Sequence, residues 1–142
     1  MLDRPHPTPA APSTDPFALA KALSGFHFIG GAYVPARSGK TFAVVNPATG
    51  AEVARAAEGD AADVDAAVQD AAKAQKEWAK VPARKRGALV HQCAQLLKEH
   101  VDELGRLIAL ETGKALRTES RVEAGVVADV FEFFGGLGSE LK

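Results

Sequence analysis

With 142 residues, 46% of them hydrophobic, the chain has the length of one ordinary domain and enough apolar surface to bury a core. Its 17 basic residues against 18 acidic ones leave a formal charge of −1, so no net field draws it to nucleic acid or to an anionic membrane. A single cysteine, Cys93, rules out an internal disulfide; with no apolar core of signal-peptide length at the N-terminus and no run near the roughly 18 residues of a membrane helix, the reading is a soluble, cytoplasmic protein.

Residues 1–15 are rich in proline, alanine and threonine and predict a disordered tail, followed by an ordered segment over 16–142. Asp15 as N-cap, Pro16 at the first helical position and Gly25 as a stop frame a short helix. Strands are expected over about 26–58. "FHFIGGAYVPA" and "TFAVVNPATG" each read as a strand, separated by the turn signals Pro35 and Ser38-Gly39, and "AEVARAAEG" adds a third. Within them Phe42 to Ala56 has the form of a hairpin: Pro47 presets φ, Asn46 can bond its own backbone, and Gly50 can take positive φ.

From Asp60, a suitable N-cap, the period lengthens to about 3.6, and helices are expected over about 60–140. Val64, Val68, Ala71, Gln75 and Trp78 share one side of the first. The second opens at Pro82 and carries Leu89, Val90, Cys93, Leu96, Leu97, Val101, Leu104, Leu107 and Ile108 on its inner face, with a break near His100 and a stop at Gly113. The third starts near Thr118, and Val122, Val126, Val127, Val130, Phe131, Phe133, Phe134 and Leu137 cover much of its girth. A helix apolar over most of its circumference is buried between two layers. Since the sequence reaches Lys142 without a second layer, an incomplete domain is expected; the alternative is that the phenylalanines pack on the two earlier helices or on a second copy.

No complete catalytic set emerges from the residues. Cys93 sits among leucines at core spacing with His91 on a different side of the helix, so it reads as a small buried hydrophobe. His6, His27, His91 and His100 have no metal-ligand spacing. "GGLG" at Gly135 to Gly138 follows a helical pattern and not a strand, which favours close helix packing or a fraying end over a dinucleotide loop. "SGK" at Ser38 to Lys40 reads as a solvated turn, and "ARKRG" at Ala83 to Gly87 as the exposed start of a helix.

In order along the chain, "FIGGAYV", "NPATG", "EVARAAEGDAADVDAAV", Trp78, Arg86, "LETGK" and "FFGGLGSELK" resemble the N-terminal end of the NAD(P)-dependent aldehyde dehydrogenase superfamily. The resemblance covers Phe26 to Lys142, about the first quarter of a family member. It implies an α+β fragment, short antiparallel strands followed by three long helices, corresponding to the N-terminal part of the α/β dehydrogenase fold. The complete enzyme would oxidise an aldehyde to a carboxylic acid with NAD or NADP. A cysteine thiolate adds to the aldehyde, hydride leaves to the nicotinamide, and a glutamate activates the water that releases the thioester, with an asparagine amide and a backbone N–H on the oxyanion. All of these lie beyond the matched stretch, and Cys93 does not stand in the nucleophile's place. The chain alone is therefore expected to carry no catalytic or cofactor-binding residue and to be inactive.

The resemblance further implies a monovalent cation held by the backbone carbonyls of Val44 and Val45 and the side chain of Glu111, a hard oxygen set. Glu111 bonding to nearby backbone or pairing with Lys114 is the alternative. The implied partners are the missing C-terminal part of the enzyme or a second copy, with the aldehyde as substrate of the whole. The competing reading is a stand-alone helical interaction module that pairs through Val126 to Leu137 with itself or with a full-length relative.

Overall fold

A computed structural model describes residues 15–22, 24–138 and 140, so the expected tail, Asp15 apart, lies outside the described residues. The chain divides into two compact units, residues 1–75 and 76–142.

The first unit opens with α1 (Pro16–Ala22), capped as expected: Asp15 Oδ1 accepts the Phe17 N–H at 2.9 Å. Strands β1 (His27–Ile29) and β2 (Ala32–Val34) then pair antiparallel, His27 opposite Val34. The sequence reading made this stretch one strand. It is a hairpin because Gly30 and Gly31, at φ +64° and +75°, form a two-residue turn with two positive φ angles, which glycine adopts at least cost. Strands β3 (Thr41–Val45) and β4 (Glu52–Ala57) form the second hairpin, from Thr41 opposite Ala57 to Val45 opposite Glu52, with Val53 the extra residue of a bulge. Its loop is built as the residues predict. Asn46 Oδ1 accepts the Ala48 N–H at 2.9 Å, Asn46 C=O accepts the Gly50 N–H at 2.8 Å, and Asn46 N–H donates to Ala51 C=O at 2.9 Å. The two hairpins are separate two-stranded sheets, and Ala36, Val53 and Ala57 form the buried apolar centre near them.

Helix α2 (Ala61–Trp78) starts on a reciprocal cap. Asp60 Oδ1 accepts the N–H groups of Ala62 (2.8 Å) and Asp63 (3.1 Å), while Asp63 Oδ2 reaches back to the Asp60 N–H at 3.1 Å. Asp63 also accepts the Arg37 N–H, at 3.1 and 3.3 Å to its two oxygens, and is 6% exposed. The Asp60 N–H holds its carboxyl below the ordinary range; burial opposes this, and the Arg37 N–H and the charges of His27 and Arg37 reinforce it. These bonds dictate which side of α2 turns inward. Val64 and Val68, expected to face a core, are exposed (Val68 61%), because Asp63 and Ala67 occupy the inner side.

The second unit contains α3 (Ala83–Glu99), α4 (Val101–Thr112), a π-helical turn (Leu116–Ser120) and α5 (Arg121–Leu137). The break at His100 is where the period predicts it. Its N–H is shared between the Leu96 and Leu97 carbonyls at 3.2 Å each, and its Nδ1 lies 2.7 Å from Glu103 Oε2. Gly113, in the left-handed region, ends α4.

Most inter-helix contact in this unit joins α3 to α5, through Gly87 and Ala94 on one side and Ala124, Ala128 and Gly135 on the other. A Cβ on Gly87 would stand 2.5 Å from the Gly135 carbonyl oxygen, and one on Gly138 would stand 2.7 Å from Gly87 Cα. This is the packing role of "GGLG". It also corrects the expected inner face of α3: Cys93 is exposed, as are Leu89 and Leu96, since the contact line is made of residues small enough for backbones to meet. Opposite the packed side of α5, Val122, Val126, Val130, Phe133 and Leu137 recur at helical spacing and are exposed. Phe133 and Phe134, 63% and 60% exposed, stack edge-on to each other with ring centroids 5.3 Å apart, so most of each ring stays outside the unit's packing.

Gly87→Ala is expected to lower stability in urea unfolding by about 1–3 kcal/mol through overpacking, although alanine is the better helix former. Gly125→Ala, on α5 with open space around it, is expected to raise stability by about 0.5–1 kcal/mol. Asp63→Asn is expected to lower the urea midpoint at pH 7. Its deficit should shrink as pH falls from 3.8 through the depressed folded value, because a carboxylate with a lowered folded pKa contributes stability above its unfolded pKa and loses it on protonation.

Candidate functional site

The three residues singled out for a cation fall on two elements. Val44 and Val45 are consecutive at the end of β3 in the first unit, and Glu111 is on the last turn of α4 in the second. The ladder distinguishes the two valines. Lys40 C=O accepts the Glu58 N–H and Asn46 N–H donates to Ala51 C=O, both at 2.9 Å, so residues of even number turn their backbone groups to the partner strand. Val44 C=O thus faces β4, whereas Val45 C=O points away from it. Glu111 is exposed, and the lysine offered as its alternative partner, Lys114, pairs with Glu123 instead. A carboxylate and peptide carbonyls are the donor chemistry of a hard cation. Among the described residues no group of three or more His, Cys, Asp and Glu could hold a metal ion.

Several other polar side chains hold backbone or one another. His91 Nε2 lies 3.3 Å from the Gln95 amide and leaves Cys93 without that base. Arg86, at the start of α3, donates through Nη1 to the Val81 carbonyl at 2.7 Å and so ties down the turn before the helix. Lys98 and Glu132 join α3 to α5, and their hydrogen bond raises the pKa of the lysine and lowers that of the glutamate. A shallow, largely apolar cavity of about 250 Å³ opens beside β1 and the start of α2, lined by His27, Phe28, Ile29, Gly59, Asp63 and Val64. His27 Nε2 is buried there without a hydrogen-bond partner, its ring against Gly59. Both oxygens of Asp63 already accept backbone N–H groups, so the carboxylate is committed to holding backbone.

Sequence reasoning missed Asp63 and Arg86 as anchors. For Asp63 a signal exists, an acid three residues after the N-cap in "DAAD". For Arg86 none does, because nothing in "ARKRG" distinguishes the one guanidinium that folds back onto a carbonyl.

The model of the aldehyde dehydrogenase family matches residues 33–142. Among solved structures the chain is similar to HpcC from Thermus thermophilus, at 31% identity and a TM-score of 0.83, over 88% of this chain and 24% of that one. It is similar to a putative aldehyde dehydrogenase from Burkholderia cenocepacia at 34% identity and a TM-score of 0.80, over 84% and 24%. It is also similar to betaine aldehyde dehydrogenase from Staphylococcus aureus in complex with NAD+, at 32% identity and a TM-score of 0.82, over 87% and 25%. The chain spans about a quarter of the length of these structures. Its short antiparallel strands and following helices match the N-terminal part of their fold, and the chain belongs to the aldehyde dehydrogenase family.

Proposed function

We propose that this chain is the N-terminal portion of an aldehyde dehydrogenase whose complete form oxidises an aldehyde to a carboxylic acid with NAD or NADP. The observation that carries this reading is the pairing of a family match over residues 33–142 with an α5 whose outer face, Val122 to Leu137, is exposed. Similarity to a structure in complex with NAD+ supports the nicotinamide as hydride acceptor. The residues of this chain supply frame: the Asn46 loop shapes the hairpin, Asp63 fixes the start of α2, and the glycine contact sets α5 against α3. In the complete enzyme the outer face of α5 receives the C-terminal portion, and Val44, Val45 and Glu111 contribute oxygens to a sodium or potassium ion. The exposed free thiol of Cys93 supports a reducing, cytoplasmic setting. Among the described residues no helix is long and apolar enough to cross a membrane.

On its own the chain is expected to reduce neither NAD nor NADP with any aldehyde. Co-expression with the C-terminal three quarters of the S. aureus betaine aldehyde dehydrogenase is expected to give NAD-dependent turnover of betaine aldehyde, which Phe133→Asp abolishes. Turnover by the chain alone, in a sample that mass spectrometry shows free of full-length enzyme, would overturn the reading.

A further inference from the structure

The β3–β4 hairpin has two outer edges, and one of them is closed. On β4 the backbone of Arg55 is fully engaged: its C=O accepts the Gly25 N–H at 2.7 Å and the Ser24 hydroxyl at 2.9 Å, and its N–H donates to Ser24 Oγ at 2.8 Å. Arg55 thus turns its backbone groups away from β3. In an antiparallel ladder directly opposed residues do this together, so Ala43, opposite Arg55, turns its own N–H and C=O away from β4. The hydrogen bonds at Lys40 and Asn46 fix the same alternation at both ends. The outer edge of β3 therefore presents the backbone of Thr41, Ala43 and Val45. Thr41 C=O accepts Arg55 Nη2 at 3.2 Å, whereas Ala43 has no hydrogen bond outside the ladder among the described residues.

This edge lacks the devices that keep strands apart. "TFAVV" contains no proline and no charge, its bulge lies on the other strand, and Phe42 and Val45 are exposed. It is also matched to itself. When two copies run antiparallel about a two-fold axis at Ala43, Ala43 faces the partner's Ala43, Thr41 faces the partner's Val45, and Phe42 faces the partner's Val44. The outward N–H and C=O groups then meet in register. Two aromatic–β-branched pairs flank a centre kept narrow by alanine, and Lys40 faces the partner's Asn46, so no like charges oppose each other. A strand of unrelated sequence would make the hydrogen bonds without the side-chain match.

We propose that β3 is a self-association edge: two copies of the chain pair β3 to β3 about Ala43 and build a four-stranded antiparallel sheet in the order β4-β3-β3-β4. The pairing rests on neither the enzyme reading nor the α5 face, and it takes up the outward Val45 C=O that the enzyme reading gives to a cation. Two five-residue strands bury less than the roughly 1,200–2,000 Å² of stable complexes, so the association is weak and concentration-dependent.

Light scattering on the full 142-residue chain tests it. The mass is expected to rise with concentration from 14.8 kDa toward twice that value. Ala43→Lys and Ala43→Glu, which each set two like charges face to face, are expected to remain at monomer mass with unchanged circular dichroism, and an equimolar mixture of the two to regain the dimer. Val126→Asp, on α5, is expected to leave the association unchanged. A monomer at every concentration, a dimer that both Ala43 variants retain, a mixture that stays monomeric, or an oligomer dissolved by Val126→Asp would each overturn the proposal.

Discussion

Where α3 meets α5 the two backbones touch, and the chemistry of the second unit is organised by that approach. Gly87, Gly135 and Gly138 leave no room for a Cβ, and Ala94, Ala124 and Ala128 are buried around them. A helix that devotes one side to glycine and alanine has its bulky apolar residues on the others. Val122, Val126, Val130, Phe133 and Leu137 stand opposite the contact, and the same sorting leaves Leu89, Cys93 and Leu96 of α3 outside it. Hydrophobic area is thus moved from the core of the unit to its surface, where an apolar face rimmed by charged residues has the character of an interface.

In the first unit a polar group plays the corresponding part. Asp63 joins the first turn of α2 to the Arg37 backbone, and with both oxygens committed it fixes the rotation of the helix about its axis. Val64 and Val68 are carried outward as a result. Both units therefore present aliphatic side chains to solvent for a local reason, one steric and one electrostatic.

Features governed by neighbours in sequence were legible. The Asn46 loop, the Asp60 cap, the His100 break and the Gly113 stop each follow from one or two residues with a strong backbone preference. Which apolar stripe is covered was not legible. Periodicity identifies a stripe but gives leucine more weight than glycine, although at close approach it is the missing side chain that decides. The Gly30-Gly31 hairpin was lost for a related reason, since the aromatic and β-branched residues on either side read as one continuous strand. Of the candidate site, the residue pattern alone indicated nothing. Val44, Val45 and Glu111 came from likeness to a family, and backbone alternation then separated the two valines, which composition could not do.

Helices that meet through glycine can approach this closely only where the glycines face each other, so the contact itself opposes sliding along the shared axis: a shift of one turn would bring a residue with a side chain to the place of Gly135 or Gly138. The Lys98–Glu132 pair lies at the rim of that contact. That pair is partly open to water and is weakened by salt, whereas the buried backbone contact is not. Ionic strength is thereby a handle on the rim alone: added salt would loosen the ion pair and leave the alignment of α5 on α3 where the missing side chains set it.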